Sequence, residues 1–274
     1  MTARVQQLLR AAGYASVLAV VFVWVLLLAL PMRGSAAGAT CEGSPPDSAL
    51  VGISGTRRPV VLVHGWDGSW TSMQPVAQAL AGLPVQPLFF DYQSHNTDWA
   101  AQPTVAGCLA SYVNAASGAY RHVGGDGKVI VIAHSMGGLA TRFASSGQYT
   151  PTPIGAELGG VITIDTPSLG SPFGNQTLAR AIQALPIFGA GHPASLFTAK
   201  AGTDASICLA AHEPPQNVLP HGCILAPYLP AGIPITQLAG DISVRRSLFG
   251  ISLYTTDLGT DGPVPVGSSH GYIG

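Results

Sequence analysis

Charged side chains are scarce in this 274-residue chain. Asp, Glu, Lys and Arg together make up 9% of the residues, whereas apolar residues make up 47%. A chain with this composition can bury a sizeable core. No internal repeat is visible, so the length indicates either one large domain or two small ones.

Basic residues are few, and some of them lie at the amino terminus. The first 39 residues contain Arg4, Arg10 and Arg33 and no acidic residue, so the rest of the chain has nine basic and 13 acidic residues and a net charge of −4. Nucleic-acid binding requires a basic surface. A nucleic-acid partner is therefore not expected.

The first 39 residues have the pattern of a targeting segment. Arg4 and Arg10 precede an uncharged run at 15–30, Pro31 breaks the run, and residues 37–39 are small, as a signal peptidase requires. The run is longer than most signal-peptide cores and slightly short for a membrane-spanning helix. The segment is compatible with a cleaved signal peptide and with a retained membrane anchor. Both interpretations place the domain outside the cytoplasm.

Only four cysteines are present, and all of them follow the targeting segment. An even number in an exported chain predicts two disulfides. We pair Cys208 with Cys223, because they would close a short loop, and the remaining Cys41 with Cys108. The spacing does not match a zinc site, and Cys41 lacks the preceding pattern of a lipoprotein, so neither metal binding nor lipid attachment is expected.

Strand-like and helix-like segments alternate from Pro59 onward. Continuous apolar runs predict buried strands, and Ala-rich segments with apolar residues at helical spacing predict helices. This alternation indicates an α/β fold for residues 40–274, with a central, mostly parallel sheet flanked by helices. The predicted strands are 59–63, 85–90, 128–133, 161–164 and 233–238, and the predicted helices are 72–81, 104–119 and 137–146.

Residues 168–230 interrupt this alternation with a stretch rich in Pro, Gly and Ala. About sixty residues are too many for a plain loop. We expect a small helical cap inserted late in the chain, with residues 180–188 as one amphipathic helix and the Cys208–Cys223 link as its staple.

The most informative motif is the serine that follows the run 128–133. His134, Ser135 and Met136 come directly after this predicted strand, and Gly137 and Gly138 open the next predicted helix. Small residues around a serine in this context allow the sharp strand-to-helix turn that exposes a catalytic hydroxyl. The alternative is an ordinary helix cap. The agreement of strand, turn and helix favours Ser135 as a nucleophile.

A second motif, His64 to Gly68, follows the first strand. Acyl transfer needs two N–H donors for the tetrahedral oxyanion, and in such folds one comes from this loop and one from the residue after the nucleophile. We therefore predict an oxyanion hole formed by the N–H groups of Trp66 and Met136. His64 is predicted to contact the substrate, and the alternative for this segment is an ordinary turn at the end of a strand.

These motifs resemble those of secreted bacterial lipases and esterases of the α/β-hydrolase superfamily, the triacylglycerol-lipase-like group. The resemblance runs from Pro59 to Ser171 through Val-His-Gly-Trp, Phe-Phe-Asp-Tyr, Ala-His-Ser-Met-Gly-Gly and Asp-Thr-Pro-Ser-Leu-Gly-Ser, and resumes at 259–266. It implies the α/β-hydrolase fold and ester hydrolysis through an acyl-enzyme, without a cofactor. It also implies the chain order serine, acid, histidine.

A serine hydroxyl becomes reactive when a histidine takes its proton and a carboxylate holds that histidine. Asp261 fits the acid best, because residues 260–264 resemble the acid loop of the family. Asp241, after the last predicted sheet strand, is the alternative. Asp165 also ends a strand, but it comes too early and matches a structural loop.

The base is less well defined by the sequence. His270 is the only histidine after Asp261, and similar lipases usually place theirs further on, so the chain could also be truncated before its base. His212 and His221 of the cap are two further candidates for the base. His134 is expected to be structural, and His95, His122 and His192 are expected in solvated loops.

The cap is rich in apolar side chains, among them Phe173 and Phe188, which we predict to bind the substrate. Such residues would form an apolar acyl site if they face the serine, or the core of the cap itself if they do not. The sequence thus predicts an exported serine hydrolase acting on lipid or other acyl esters. An acyltransferase and a non-catalytic binding protein on the same fold are the alternatives.

Overall fold

The computed structural model describes Cys41, Leu50 and residues 52–171, 202–210, 223–240, 243–248, 251–257 and 266–269. For 243–248, 251–257 and 266–267 only the backbone is described. The predicted targeting segment lies outside the described residues, and so does most of the predicted cap.

The centre of the domain is a sheet of five parallel strands in the order β2-β1-β3-β4-β5. All five were predicted from the sequence, β1, β3 and β4 from continuous apolar runs and β2 and β5 from weaker patterns, with ends that differ by three residues or fewer. The strands are β1 (Arg58–Val63), β2 (Val85–Phe90), β3 (Val129–His134), β4 (Leu158–Ile164) and β5 (Ile235–Leu238).

Three helices connect these strands, as predicted, but two of them begin with a different helical turn. A 3₁₀ turn precedes the first helix, whose second residue is Pro75, and a π turn that begins at Pro103 precedes the second. The helices are α1 (Gln74–Ala79), α2 (Cys108–His122) and α3 (Met136–Ala144).

Alternate residues of the central strands enter two separate apolar layers. Val61 and Val63 of β1 pack with α2 and α3 on one face of the sheet, and Val60 and Leu62 pack with Met73 and the residues around α1 on the other. A strand with both faces covered needs apolar residues at every position. This is why the continuous apolar runs predicted the central strands correctly.

Both predicted disulfides are present, Cys41–Cys108 and Cys208–Cys223. The second joins α4 (Asp204–Ala210), the part of the predicted cap that is described as a helix, to the segment 223–229. Two disulfides are consistent with an extracellular protein.

The helix α4 lies over the carboxyl ends of the strands. The N–H of Ala205 donates to the carbonyl of Thr97 in the loop after β2, and the N–H of Ser171, in the loop after β4, donates to the carbonyl of Leu209. This position fits a cap. Among the helices of the described ranges, none has both the length and the apolar character required to cross a bilayer.

Three later elements contain no long apolar run and were not predicted. β6 (Ser243–Leu248) and β7 (Ile251–Asp257) form an antiparallel pair separate from the main sheet. The short helix α5 (Val266–Ser269) has only four residues.

Candidate active site

The candidate site lies where the order of the sheet reverses. The chain passes from β1 outward to β2 and returns to β3 on the other side of β1. The loops after β1 and β3 therefore diverge at the carboxyl ends of two adjacent strands, and open α/β sheets bind ligands at this point. Ser135 follows β3 here, and His64 to Gly68 follow β1.

Ser135 has a backbone conformation that is unfavourable for a residue with a side chain. Its φ is 51° and its ψ is −128°, outside the regions that L-residues normally occupy. Strain of this kind persists only where the surroundings impose it, and it is concentrated at functional sites. The strand, sharp turn and helix predicted around Ser135 are confirmed.

Three hydrogen bonds hold this turn. The N–H of Ser135 donates to the carbonyl of Ile164 at the end of β4 at 2.8 Å, and the N–H of Gly138 donates to the carbonyl of Ser135 at 3.0 Å. The hydroxyl of Thr166 donates to the same Ser135 carbonyl at 3.0 Å. The backbone of Ser135 is thus fixed from the neighbouring strand and from its own helix.

Close packing explains the two glycines after Met136. A Cβ on Gly137 would lie 2.5 Å from the carbonyl oxygen of His64, and a Cβ on Gly138 would overlap the side chain of Thr166. The first turn of α3 can therefore approach β1 and β4 only without side chains. The sequence motif reflects this steric requirement.

The loop after β1 contacts the nucleophile turn directly. A Cβ on Gly65 would lie 2.7 Å from the Cβ of Ser135 and 3.0 Å from Nδ1 of His134. Trp66 follows Gly65, and Met136 is the first residue of α3, so its N–H has no acceptor within the helix. The convergence of these two N–H groups on one point stays a prediction.

His64 is fully buried, with an exposed fraction of 0%. Nδ1 lies 2.9 Å from the carbonyl of Gly65, and Nε2 lies 2.9 Å from Asp91 and 3.1 Å from the N–H of Tyr92. Burial lowers the pKa of His64, while the Gly65 carbonyl and the charge of Asp91 act less strongly in the other direction. A ring enclosed in this way is poorly placed for the substrate contact predicted for it.

His134, the residue before the nucleophile, is partly buried, and burial lowers its pKa despite the opposing charge of Asp165. Asp165 has a φ of 48°, and its carboxylate accepts a hydrogen bond of 2.5 Å from the N–H of Gly240. This bond joins the ends of β4 and β5, which agrees with the structural loop expected around Asp165.

The segment before His270 is anchored near this edge of the sheet. The hydroxyl of Ser268 accepts from the N–H of Leu169 at 3.1 Å and donates to the carbonyl of Gly170 at 2.6 Å. The side chain of Gln237 in β5 donates to the carbonyl of Ser269 at 3.0 Å. The end of α5 is thus held beside the loop after β4 and beside β5.

Several predicted site residues lie outside the described residues, so their roles stay predictions. They are the acids Asp261 and Asp241, the histidines His270, His212, His221 and His192, and the apolar residues Phe173 and Phe188.

Three contributors to the site were not assigned from the sequence. Asp91 and Tyr92 follow β2 and enclose the His64 ring, and Thr166 follows β4 and bonds to Ser135. The available signal was position, because each is a polar or aromatic residue just after a strand adjacent to the site. Their partners became apparent only from the strand order.

The sequence matches the model of the alpha/beta hydrolase family over residues 60–271. A comparison with curated protein sequences gives no match.

Three lipases are among the solved structures that are similar to this chain. The mature form of a Bacillus licheniformis lipase is 21% identical, with 63% of this chain and 59% of that chain aligned and a TM-score of 0.40. Aspergillus fumigatus lipase B is 16% identical, with 52% and 35% aligned and a TM-score of 0.37. A monoacylglycerol lipase of Paleococcus ferrophilus is 20% identical, with 48% and 50% aligned and a TM-score of 0.31. The chain spans less than two thirds of each of these structures.

Proposed function

Because this chain belongs to the alpha/beta hydrolase family, we propose that it is an exported serine hydrolase that cleaves carboxylic esters with Ser135 as its nucleophile. The observation that carries the proposal is the strained turn of Ser135 between β3 and α3, at the reversal point of the sheet. A turn of this kind directs the hydroxyl away from the sheet.

The chemistry proceeds in two halves. The Ser135 oxygen attacks the ester carbonyl carbon while its proton passes to a histidine, and the alcohol leaves with that proton. Water then attacks the acyl-enzyme and gives a proton to the histidine. The histidine passes this proton to the Ser135 oxygen as the carboxylic acid leaves, which restores the Ser135 hydroxyl. No cofactor is required for either half.

We assign stabilisation of the oxyanion, in each half of the reaction, to the N–H groups of Trp66 and Met136. The contact between Gly65 and Ser135 supports this assignment, because it brings the loop after β1 next to the reacting hydroxyl. Fixed N–H donors stabilise charge that develops only in the transition state.

Asp261 and His270 are proposed as the acid and the base. The bonds of Ser268 and of the Ser269 carbonyl support His270, because they anchor the residues just before it to the loop after β4 and to β5. That loop also carries Thr166, which bonds to Ser135. The chain is therefore tied to the site's side of the sheet immediately before it reaches His270.

Two exposed leucines support the proposal that the substrate has an apolar acyl part. Leu169, in the loop after β4, and Leu238, at the end of β5, have exposed fractions of 37% and 49%. Both lie at the carboxyl edge of the sheet, where Ser135 also lies. Apolar side chains around few polar groups are typical of a site for an acyl chain.

A fluorophosphonate probe tests the nucleophile. The purified full chain should be labelled on Ser135, and Ser135→Ala should abolish labelling and ester hydrolysis. Ser111→Ala, which removes an exposed hydroxyl of α2, is the matched control and should leave both unchanged. Absence of labelling in a folded wild type would contradict the proposal and indicate a binding protein. Labelling with transfer of the acyl group to an added alcohol in place of water would indicate an acyltransferase.

Paired variants test the acid and the base. Asp261→Asn and His270→Ala should each reduce the hydrolysis rate by orders of magnitude, whereas Asp241→Asn and His122→Ala should not. If Asp241→Asn loses most of its hydrolysis rate while Asp261→Asn stays active, Asp241 is the acid in place of Asp261. Equal and low rates in wild type and His270→Ala would indicate that His270 is not the base.

Export can be tested with the full chain in a secreting host. A signal peptide predicts a form that begins after Ala39 in the medium, and a retained anchor predicts the whole chain in the membrane fraction. An intact chain in the cytoplasm with free thiols would contradict export.

A further inference from the structure

The Gly65–Trp66 peptide group is fixed through its carbonyl. The carbonyl oxygen of Gly65 lies 2.9 Å from Nδ1 of His64, and it accepts a hydrogen bond of 3.1 Å from the N–H of Gly68. A carbonyl oxygen can only accept, so this bond requires a proton on Nδ1. In the neutral ring this is the tautomer in which Nε2 accepts from the N–H of Tyr92, and in the charged ring both nitrogens carry a proton. A Cβ at Gly68 would be in tight contact with this bond, 3.0 Å from the Gly65 oxygen and 3.1 Å from Nδ1.

The same peptide group contains the N–H of Trp66. In a planar trans peptide the C=O and the N–H point in opposite directions. Because the Gly65 carbonyl is held against the buried ring of His64, the N–H of Trp66 points away from that ring. The ring therefore determines the direction of the Trp66 N–H through the plane of this peptide.

The ring itself is clamped on its other edge and on its face. Nε2 lies 2.9 Å from Asp91 and 3.1 Å from the N–H of Tyr92, and the ring of Tyr92 stacks on it at 4.0 Å and 9°. A neutral ring accepts from Tyr92, and a protonated ring donates to Asp91. The proton on Nδ1 and its bond to Gly65 are the same in both cases.

From this geometry we infer that His64 is a positioning residue that aims the Trp66 N–H at the reacting carbonyl, with Asp91 and Tyr92 holding its ring. The inference deepens the function proposed above and rests on it for the role of the N–H. The loop touches Ser135 at Gly65, so a small rotation of this one peptide would move the donor relative to the nucleophile.

Two variants separate the bond to Gly65 from the rest of the clamp. Asparagine has an amide nitrogen close to the place of Nδ1, and glutamine has one close to the place of Nε2. His64→Asn should keep the donor to Gly65, whereas His64→Gln should lose it and keep a polar group near Asp91. Thermal unfolding of both variants measures what the buried ring contributes to stability.

The first measurement is structural and does not depend on activity. Crystal structures of the full chain should show the Gly65–Trp66 peptide rotated in His64→Gln and retained in His64→Asn. The same orientation in both variants, or equal displacement in both, would overturn the inference.

The second measurement is kinetic. His64→Gln should lower kcat by about 10- to 100-fold with little change in KM, because a misdirected donor is lost mainly in the transition state, and His64→Asn should retain most of kcat. Equal losses in the two variants that follow their unfolding temperatures would indicate a purely structural role and overturn it. If the wild type neither reacts with a fluorophosphonate nor cleaves esters, the proposed function fails, while the crystal structures still decide whether His64 orients the peptide.

Discussion

The hydroxyl of Thr166 and the carbonyl of Ser135 are joined by a hydrogen bond of 3.0 Å. Thr166 is 1% exposed, and it also fills the space against Gly138 that a side chain on that glycine would need. One threonine from the loop after β4 thus holds both the strained residue and the first turn of its helix.

Replacing Thr166 with valine should therefore destabilise the nucleophile turn. The shape is preserved, but the Ser135 carbonyl loses one of its two donors and keeps the N–H of Gly138, which costs about 0.5–1.5 kcal/mol. Thermal unfolding should show this loss, and fluorophosphonate labelling of Ser135 should slow. Thr166→Ser keeps the hydroxyl and is the control. Equal behaviour of the two variants would show that the hydrogen bond contributes nothing.

Gly65→Ala should reduce ester hydrolysis more than it reduces the stability of the fold. The new Cβ would lie 2.7 Å from the Cβ of Ser135, so the loop must move away from the nucleophile and carry the Trp66 N–H with it. Hydrolysis should fall by about 100-fold, as when an oxyanion donor is removed.

The matched control for this change is Gly118→Ala in α2. Apart from its chain neighbours and the backbone of its own helix, no atom lies within 4 Å of a Cβ at Gly118, and alanine favours a helix by up to about 1 kcal/mol over glycine. Activity should be unchanged and stability equal or higher. Equal losses of activity in the two variants would contradict a specific role for Gly65.

The strands and the nucleophile turn could be predicted because their signals are local. A strand buried on both faces shows a continuous apolar run, and the turn at Ser135 shows the small residues that its packing requires. These patterns are carried by residues that are close together in the chain, so a single sequence displays them.

The partners of His64 could not be predicted, because they depend on the order of the strands. Asp91 is 27 residues from His64 and reaches it only because β2 pairs with β1. The motif therefore predicted a ring facing the substrate, whereas the ring is enclosed by the neighbouring loop. The pair β6 and β7 was missed because neither strand has the long apolar run of a doubly covered strand.

The two disulfides should differ in their effect on stability. Cys41–Cys108 spans 67 residues and Cys208–Cys223 spans 15, and loop-closure entropy alone assigns them about 4 and about 3 kcal/mol. Unfolding of the Cys41→Ser/Cys108→Ser and Cys208→Ser/Cys223→Ser proteins in urea measures both.

Only the shorter disulfide is expected to affect activity. It fixes α4 to the segment 223–229, whose carbonyls at Ala226 and Pro227 accept hydrogen bonds from Arg142 of α3. Hydrolysis should therefore fall in the Cys208→Ser/Cys223→Ser protein and stay near wild type in the other at a temperature where both are folded. The reverse order of activities would contradict this account.

Stability should fall as the solution is acidified below neutral pH, and His134 should account for part of the fall. Burial lowers the pKa of His134 in the folded protein, whereas an unfolded chain titrates it near 6.5. The unfolded state then binds more protons, so the free energy of unfolding decreases from about pH 7 down to the folded pKa. Each such histidine adds a slope of at most about 1.4 kcal/mol per pH unit. His64, whose pKa is also lowered by burial, contributes in the same direction.

His134→Gln should flatten the slope measured between pH 7.5 and 5.5, while His122→Gln, at the exposed end of α2, should leave it unchanged. Identical slopes in wild type and His134→Gln would show that His134 is protonated as readily in the folded protein as in the unfolded chain.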